Sequence, residues 1–422
     1  GGVGKTVLAA ALARDCEVRR SFPDGIYWVE LNKEPNIALR MRTLGEALGD
    51  DGDKYQDIES GRIHLSALLE KKAALIILDD AWDYDHAAAF HIVGNRSRIV
   101  ITTRSRRIVN QFGIAPQEVE MLSEDEGLAL IAERLGLAAE DDNPYETEHR
   151  AIVTSLGGHA QAIALAAAKI AENGRDYAPD LLRRIEKRRG GETPFRPFTD
   201  GETRQFNLEV MFSLSYEDLS ADEQRRFRAL GVFAPGGSFH PVIAQVMWGD
   251  DDLDDTTDCL RHFVNAALLT DDGGRYTLHA LLHDYARALL LREGELPALE
   301  AQHFAVYNTL HGNYNTNNDE DRHPLIRADF ENIQQALQWG FEHQPQTACD
   351  FVYALTYYMQ FHVPMTLQHT LLTAAYQSVK DDTEATQQQA NTLKALGDLS
   401  LRQAELSAAR GYYDRALPLY EA

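Results

Sequence analysis

The chain has 422 residues, 44% of them hydrophobic and 25% charged, and a formal net charge of −24. That length suits two to four domains with separate cores, and the composition is that of a globular protein, not a disordered or fibrous one. The acidity argues against broad nucleic-acid binding, the three scattered cysteines call for no disulfide or zinc framework, and no apolar run is long enough to cross a membrane.

Gly1-Gly2-Val3-Gly4-Lys5-Thr6 is the end of a phosphate-binding loop, G-x-x-x-x-G-K-[ST], without its first glycine. Glycines let backbone N–H groups turn toward an anion, Lys5 supplies a point charge for the β/γ-phosphates, and Thr6 offers a hydroxyl to Mg²⁺. The plainer alternative is a Gly-rich turn before an ordinary helix. A chain that opens inside a motif, with no initiator Met, is expected to be a fragment. The apolar run Val7 to Ala13 predicts a buried helix whose N-terminal dipole faces the phosphates.

Phe22-Pro23-Asp24-Gly25 predicts a turn, and Ile26 to Leu31 a strand. Helices are expected over about 36–48 and about 58–71, flanking an acidic loop from Asp50 to Asp57. Ala73 to Leu78 is continuously apolar, as in a strand buried on both faces of a parallel sheet. It delivers Asp79-Asp80 to its C-terminal end, where open α/β sheets bind ligands. There Asp79 would hold the Mg²⁺ shell and Asp80 would polarise an attacking water. Two carboxylates at a strand end can also simply cap the next helix. Ser97 to Arg104 predicts a further strand, whose terminal Arg104 can read a γ-phosphate or pair with a neighbouring carboxylate.

Gly-Gly-Val-Gly-Lys-Thr (1–6), Asp-Gly-Ile-Tyr-Trp-Val (24–29), Leu-Ile-Ile-Leu-Asp-Asp-Ala-Trp (75–82) and Ser-Arg-Ile-Val-Ile-Thr-Thr-Arg (97–104) occur in that order. As an ordered set they resemble the NB-ARC ATPases, STAND-class switch proteins shared by plant resistance proteins, apoptotic activators and many bacterial regulators. The resemblance implies an α/β P-loop domain with a parallel sheet over 1–121 and an all-α domain over 122–189. Leu122 to Glu126 resembles the family's helix start, with Ser123 and Glu126 forming a capping box. Leu156 to Ile163 stands in the place of the family's GLPLA segment. The proline that packs on adenine in the family is Ala160 here, and the next leucine is Gln161.

A Gly/Pro/Thr-rich linker is expected over 190–202. Beyond it, helices at Phe206 to Leu219, Ala221 to Leu230 and Pro241 to Trp248, then a Gly-turned hairpin within Leu268 to His279, describe a winged-helix domain over 203–288. Its acidic loop, Gly249 to Asp258, is hostile to DNA phosphates, which favours a regulatory role for the domain. Leu278 to Ala286 resembles the family's MHDLxxDxA segment. The resemblance assigns to His279 the imidazole that reaches the β-phosphate of bound ADP; the family aspartate is Ala280. A core or surface histidine is the plainer reading.

From about Leu289 onward only helices are expected, as a helical linker or divergent repeats over 289–383. Phe351, Tyr353, Tyr357, Tyr358 and Phe361 suit helix-packing core. Over 384–422, Leu393, Leu396, Gly397, Ala409, Tyr413 and Ala416 fall at the small and large positions of a tetratricopeptide-like repeat counted from Ala390.

The expectation that follows is a cytoplasmic signalling switch binding ADP at rest and ATP when activated, with Mg²⁺. It would be a slow ATPase, assemble with itself in the ATP state and meet a protein trigger through its repeats. The alternatives are a transcriptional regulator contacting DNA through the winged helix or a preceding domain, a housekeeping ATPase, and a repeat scaffold with a dead nucleotide fold.

Overall fold

The computed structural model describes residues 2–92, 94–138, 143–190, 203–312 and 322–421, so the expected linker lies outside the described residues apart from Gly190. Two compact units emerge: Gly1–Lys5 with Pro116–Leu299, and Thr6–Ala115 with Glu300–Ala422.

Helices α1 (Lys5–Arg14) and α2 (Cys16–Ser21) precede strand β1 (Ile26–Glu30). Then come α3 (Ile37–Ala47), α4 (Ile58–Leu69), β2 (Leu75–Ala81), α5 (Tyr84–Ala89), β3 (Arg98–Thr103) and α6 (Arg106–Phe112). The strands form a parallel sheet in the order β1-β2-β3, with β2 central. Ile76 and Leu78 of β2 pack with Met41, Leu65 and Phe90 on one face, while Leu75 and Ile77 meet Ala9 on the other. Burial on both faces explains the unbroken apolar run. Local chemistry sets the helix starts: Asn36 caps α3, Asp57 and Ser60 close a capping box on α4, and Ser105 caps α6.

The run Val7 to Ala13 is helical but not buried. Within α1 only Ala9 is buried, whereas Val7 is 72% and Leu8 53% exposed. A helix laid on a sheet buries one stripe, and here Ala9 and Ala13 face Leu75 and Ile77.

Next in sequence are α7 (Glu124–Arg134), α8 (Glu146–Ser155), α9 (Ala160–Asn173) and α10 (Ala178–Gly190). The expected capping box is present: the Ser123 backbone N–H donates to Glu126 Oε2 at 2.8 Å, and the Glu126 N–H donates to Ser123 Oγ at 3.3 Å. Helices α11 (Thr203–Glu217), α12 (Ala221–Ala229), α13 (Pro241–Trp248) and α14 (Leu253–Asn265) lead to an antiparallel hairpin, β4 (Thr270–Asp272) and β5 (Arg275–Thr277), and then to α15 (Ala280–Glu293). Gly273 and Gly274 turn the hairpin at φ 63° and 89°, as a two-residue I′ turn requires. The acidic stretch 249–258 is only partly a loop. The Asp252 side chain accepts the Asp254 N–H at 2.9 Å and α14 begins at Leu253, so Asp254 and Asp255 lie in a first turn that favours carboxylates.

The chain continues through α16 (Leu296–His311), α17 (His323–His343), α18 (Pro345–Ala354), α19 (Thr356–His362), α20 (Met365–Val379), α21 (Thr386–Arg402) and α22 (Leu406–Glu421). No described residue after Thr277 is in a strand, and no described helix is long and apolar enough to cross a membrane. A Cβ on Gly397 of α21 would lie 2.5 Å from the Tyr413 ring of α22, so the small and large positions meet across one helix pair. Phe351 and Tyr358 are buried as expected, but Phe361 is 41% exposed. Its ring still meets Tyr357 edge-on, with centroids 5.0 Å apart, and its carbonyl accepts from the buried Arg42 guanidinium. Arg40 pairs with Glu331, Arg327 reaches Glu46 at 2.6 Å, and the Gln56 amide oxygen accepts the Met365 N–H at 2.9 Å. Polar contacts thus join α3 and the loop after it to α17, α19 and α20.

Candidate functional site

The carboxyl end of β2 carries the densest polar cluster of the sheet. Pairing with β3 slips by one residue between Leu78 and Ala81, so that Leu78 faces Ile101 but Ala81 faces Thr103. The extra residue is absorbed by Asp80, which adopts φ 53°, a left-handed conformation in which aspartate is tolerated better than bulkier residues. The strand therefore runs through the two aspartates instead of stopping before them.

Asp79 points into the sheet edge and is 6% exposed. Its carboxylate accepts the Thr6 hydroxyl at 3.0 and 3.1 Å and that of Thr102. Burial pushes its pKa up, the two hydroxyl donors pull it back, and neighbouring Asp80 raises it. Asp80 takes separate partners. Its N–H donates to Thr102 Oγ1 at 2.9 Å, its Oδ2 accepts the Trp82 indole N–H at 2.7 Å, and Arg104 Nε lies 3.6 Å from its Oδ1. One threonine thus fixes both aspartates, one by its hydroxyl proton and the other by its oxygen.

These oxygens fit Mg²⁺, a hard cation that usually keeps several waters and binds through one or two protein oxygens plus phosphates. Thr6 Oγ1 would be the direct ligand and Asp79 an outer partner through water. Among the described residues no group of three or more His, Cys, Asp and Glu side chains could hold a metal by itself, so the cation would depend on phosphate and water for its remaining ligands.

In the other unit, the loop residues rest on the start of α9. The Gln161 N–H donates to the Gly2 carbonyl at 3.2 Å, and a Cβ on Gly2 would fall 2.4 Å from His159 Cε1. With φ 72° as well, position 2 admits glycine alone without rearrangement; Gly4 is held at φ 102°. Ala160 is the first residue of α9, where proline would also fit, and buried His159 caps the helix through its Nδ1. His279 caps α15, its Nδ1 accepting the Leu281 N–H at 3.3 Å. Val3 and Lys5 are half-buried, and Gly1 lies outside the described residues.

Residues 1–140 match the NB-ARC domain family. This region is an NB-ARC domain. Beyond the NB-ARC domain, similarity extends to longer proteins. The chain is 26% identical over 303 residues to apoptotic protease-activating factor 1 of Danio rerio, covering 67% of this chain and 23% of that protein. It is 28% identical over 308 residues to regulatory protein AfsR of Streptomyces griseus, covering 70% and 30%. It is 27% identical over 363 residues to Rv0890c of Mycobacterium tuberculosis, whose name describes an HTH-type transcriptional regulator, covering 81% and 39%. The chain thus spans less than half the length of each.

Within the NB-ARC domain, the structure brings Thr6, Asp79, Asp80 and Arg104 together; Gly2 is set against the helix that begins at Ala160, beyond the matched residues. Arg104 rests on Asp80, a pairing with a neighbouring carboxylate. Two participants carried no assigned role in the sequence reading. Thr102 reads only as one of the hydroxyls ending β3, and Trp82 only as the end of the Asp-Asp-Ala-Trp run. Their partners are fixed by the bulge in β2, which sequence periodicity does not reveal.

Proposed function

We propose that the protein is a nucleotide-dependent signal-transduction switch, holding ADP at rest and ATP when activated, with slow hydrolysis between. The observation that carries this reading is the Thr6 hydroxyl 3.0 Å from the Asp79 carboxylate at the carboxyl end of a parallel sheet. Lys5 and the loop N–H groups would bind the β/γ-phosphates, Thr6 and Asp79 would hold Mg²⁺, and Asp80 would orient the attacking water. Bound Mg²⁺ would neutralise phosphate charge. Arg104 exchanges Asp80 for the γ-phosphate when ATP binds, and His279 engages the β-phosphate of ADP, so each nucleotide has a contact the other lacks. Ala160 leaves a smaller packing face for adenine than proline would.

Residues 203–288, as a winged-helix domain, report the nucleotide state. Residues 384–422, as a tetratricopeptide-like repeat after the helices of 289–383, receive a protein trigger, and the ATP state assembles with itself. The apoptotic factor and the regulatory proteins among the relatives support a signalling role. A second reading, a transcriptional regulator, is favoured by the name of the mycobacterial relative; salt-dependent DNA binding would support it.

The test is nucleotide retention. Purified protein is denatured and the released nucleotide quantified by chromatography. Wild type should release ADP and Lys5→Ala none; equal ADP from both would defeat the proposal.

A further inference from the structure

Trp82 holds a position that the nucleotide reading leaves unused. It is 40% exposed, yet its indole N–H is bonded and two cations lie over its ring. The ring N–H donates to Asp80 Oδ2 at 2.7 Å. The Arg104 guanidinium lies 5.1 Å from the ring centroid and the Lys33 ammonium 5.0 Å from it, both at cation–π range. Asp80 is therefore held at three points: its backbone N–H on Thr102, one carboxylate oxygen on Trp82 and the other facing Arg104.

Those three holds are unequal. The Arg104 contact, at 3.6 Å, is an ion pair without hydrogen-bond geometry, and both partners are partly open to solvent. An arriving anion can draw Arg104 away. The indole N–H bond is short and directional, and it does not compete for the anion's charge. A left-handed aspartate released by its arginine would swing free unless another group fixed its carboxylate.

We infer that Trp82 is a positioning residue: its indole N–H keeps the Asp80 carboxylate aimed after Arg104 has moved to a γ-phosphate, while its ring face gives Arg104 a resting place when the γ-phosphate is gone. This rests on the ATPase reading above. It assigns to Trp82 no contact with nucleotide.

Trp82→Phe separates the two tasks, because phenylalanine keeps a ring face and loses the donor. In the full chain, Trp82→Phe should lower kcat about tenfold, the rate equivalent of one hydrogen bond to a charged group, and leave KM for ATP within about twofold. Trp82→Ala should lower kcat similarly and also weaken discrimination between ATP and ADP. Unchanged kcat in Trp82→Phe overturns the inference, as does a loss expressed wholly in KM. A second readout is independent of turnover. The emission assigned to Trp82, taken as wild type minus Trp82→Phe, should shift when Asp80→Ala removes its acceptor. If the wild type neither binds nor hydrolyses ATP, the ATPase reading fails and the positioning role fails with it. The emission shift then tells whether the Trp82–Asp80 bond itself exists.

Discussion

Thr102 supports both aspartates, so Thr102→Val tests the site geometry without touching a phosphate-binding residue. Valine keeps the β-branched shape and removes the hydroxyl. Two bonds vanish: the donation to the Asp79 carboxylate and the acceptance of the Asp80 N–H. Both threonine and Asp79 are more than nine-tenths buried, so water replaces neither bond well. One lost hydrogen bond to a charged group plus one stranded N–H amounts to about 3 kcal/mol. The pH dependence has a definite sign. Asp79 titrates above its ordinary value in the folded chain, so its contribution to stability is present at low pH and is lost as pH rises through the folded pKa. Removing a donor that favours the carboxylate raises that pKa further, and the deficit should be larger at pH 7 than at pH 4. Urea unfolding in EDTA, with hydrogen exchange followed in a peptide spanning 74–83, isolates the sheet from the other elements. Thr43→Val, on an exposed helix face, is the control and should stay within about 0.5 kcal/mol. A Thr102→Val deficit no larger than the control's, or one identical at both pH values, would refute the reasoning.

Three further outcomes are expected. His279→Ala should speed ADP release and also lose about 1 kcal/mol with its helix cap, whereas His279→Asn should keep the cap and still release ADP faster. Wild-type release from the Asn variant would remove the β-phosphate contact. Glu30 pairs in register with Asp79, and its pKa is pushed up to about 6. The first cause is loss of hydration around the carboxyl, followed by repulsion from Glu331; Arg40 opposes both and Asp79 and Asp80 add to the rise. Its stabilising protonation is full below its ordinary 4.5 and lost through about 6, so Glu30→Gln should raise the melting temperature at pH 8 and not at pH 4. Solvent screening keeps the effect under about 1 kcal/mol, and equal shifts at both pH values would contradict it. Gly397→Leu should loosen the α21–α22 pair by about 1–3 kcal/mol, read as faster hydrogen exchange across 386–421; unchanged exchange would mean the pair does not need that close approach.

Much of the fold was legible because local chemistry and tertiary demand agree. The run Ala73 to Leu78 reads as a doubly buried strand, and the strand found, Leu75–Ala81, is buried on both faces; Ser123 and Glu126 read as a capping box and form it; Gly273-Gly274 turns its hairpin. The reading failed where one residue type serves two local structures. Asp252, Asp254 and Asp255 suit a loop, yet equally suit a helix cap and first turn, which is where they lie. Val7 and Leu8 mark a helix but cannot report which stripe meets the sheet. Of the site, the residue types and their order were visible. The sharing of Thr102 between the Asp79 carboxylate and the Asp80 N–H was not, since it depends on a slip in strand register and on partners more than twenty residues apart.

The join between the α/β sheet region and α17–α20 has a thermodynamic consequence. Among the described residues it holds arginine–carboxylate pairs, an arginine on a carbonyl and an amide bonded to a helix start, while the two core clusters around the sheet draw on residues between Ala9 and Phe112. Separation along such a seam wets these polar groups, which lower the heat capacity of the opened form, whereas any apolar surface exposed with them would raise it. Calorimetry should therefore register its opening as a salt-sensitive step whose ΔCp is smaller than that of the sheet's own unfolding. The helices behind it could move without the sheet's core coming apart.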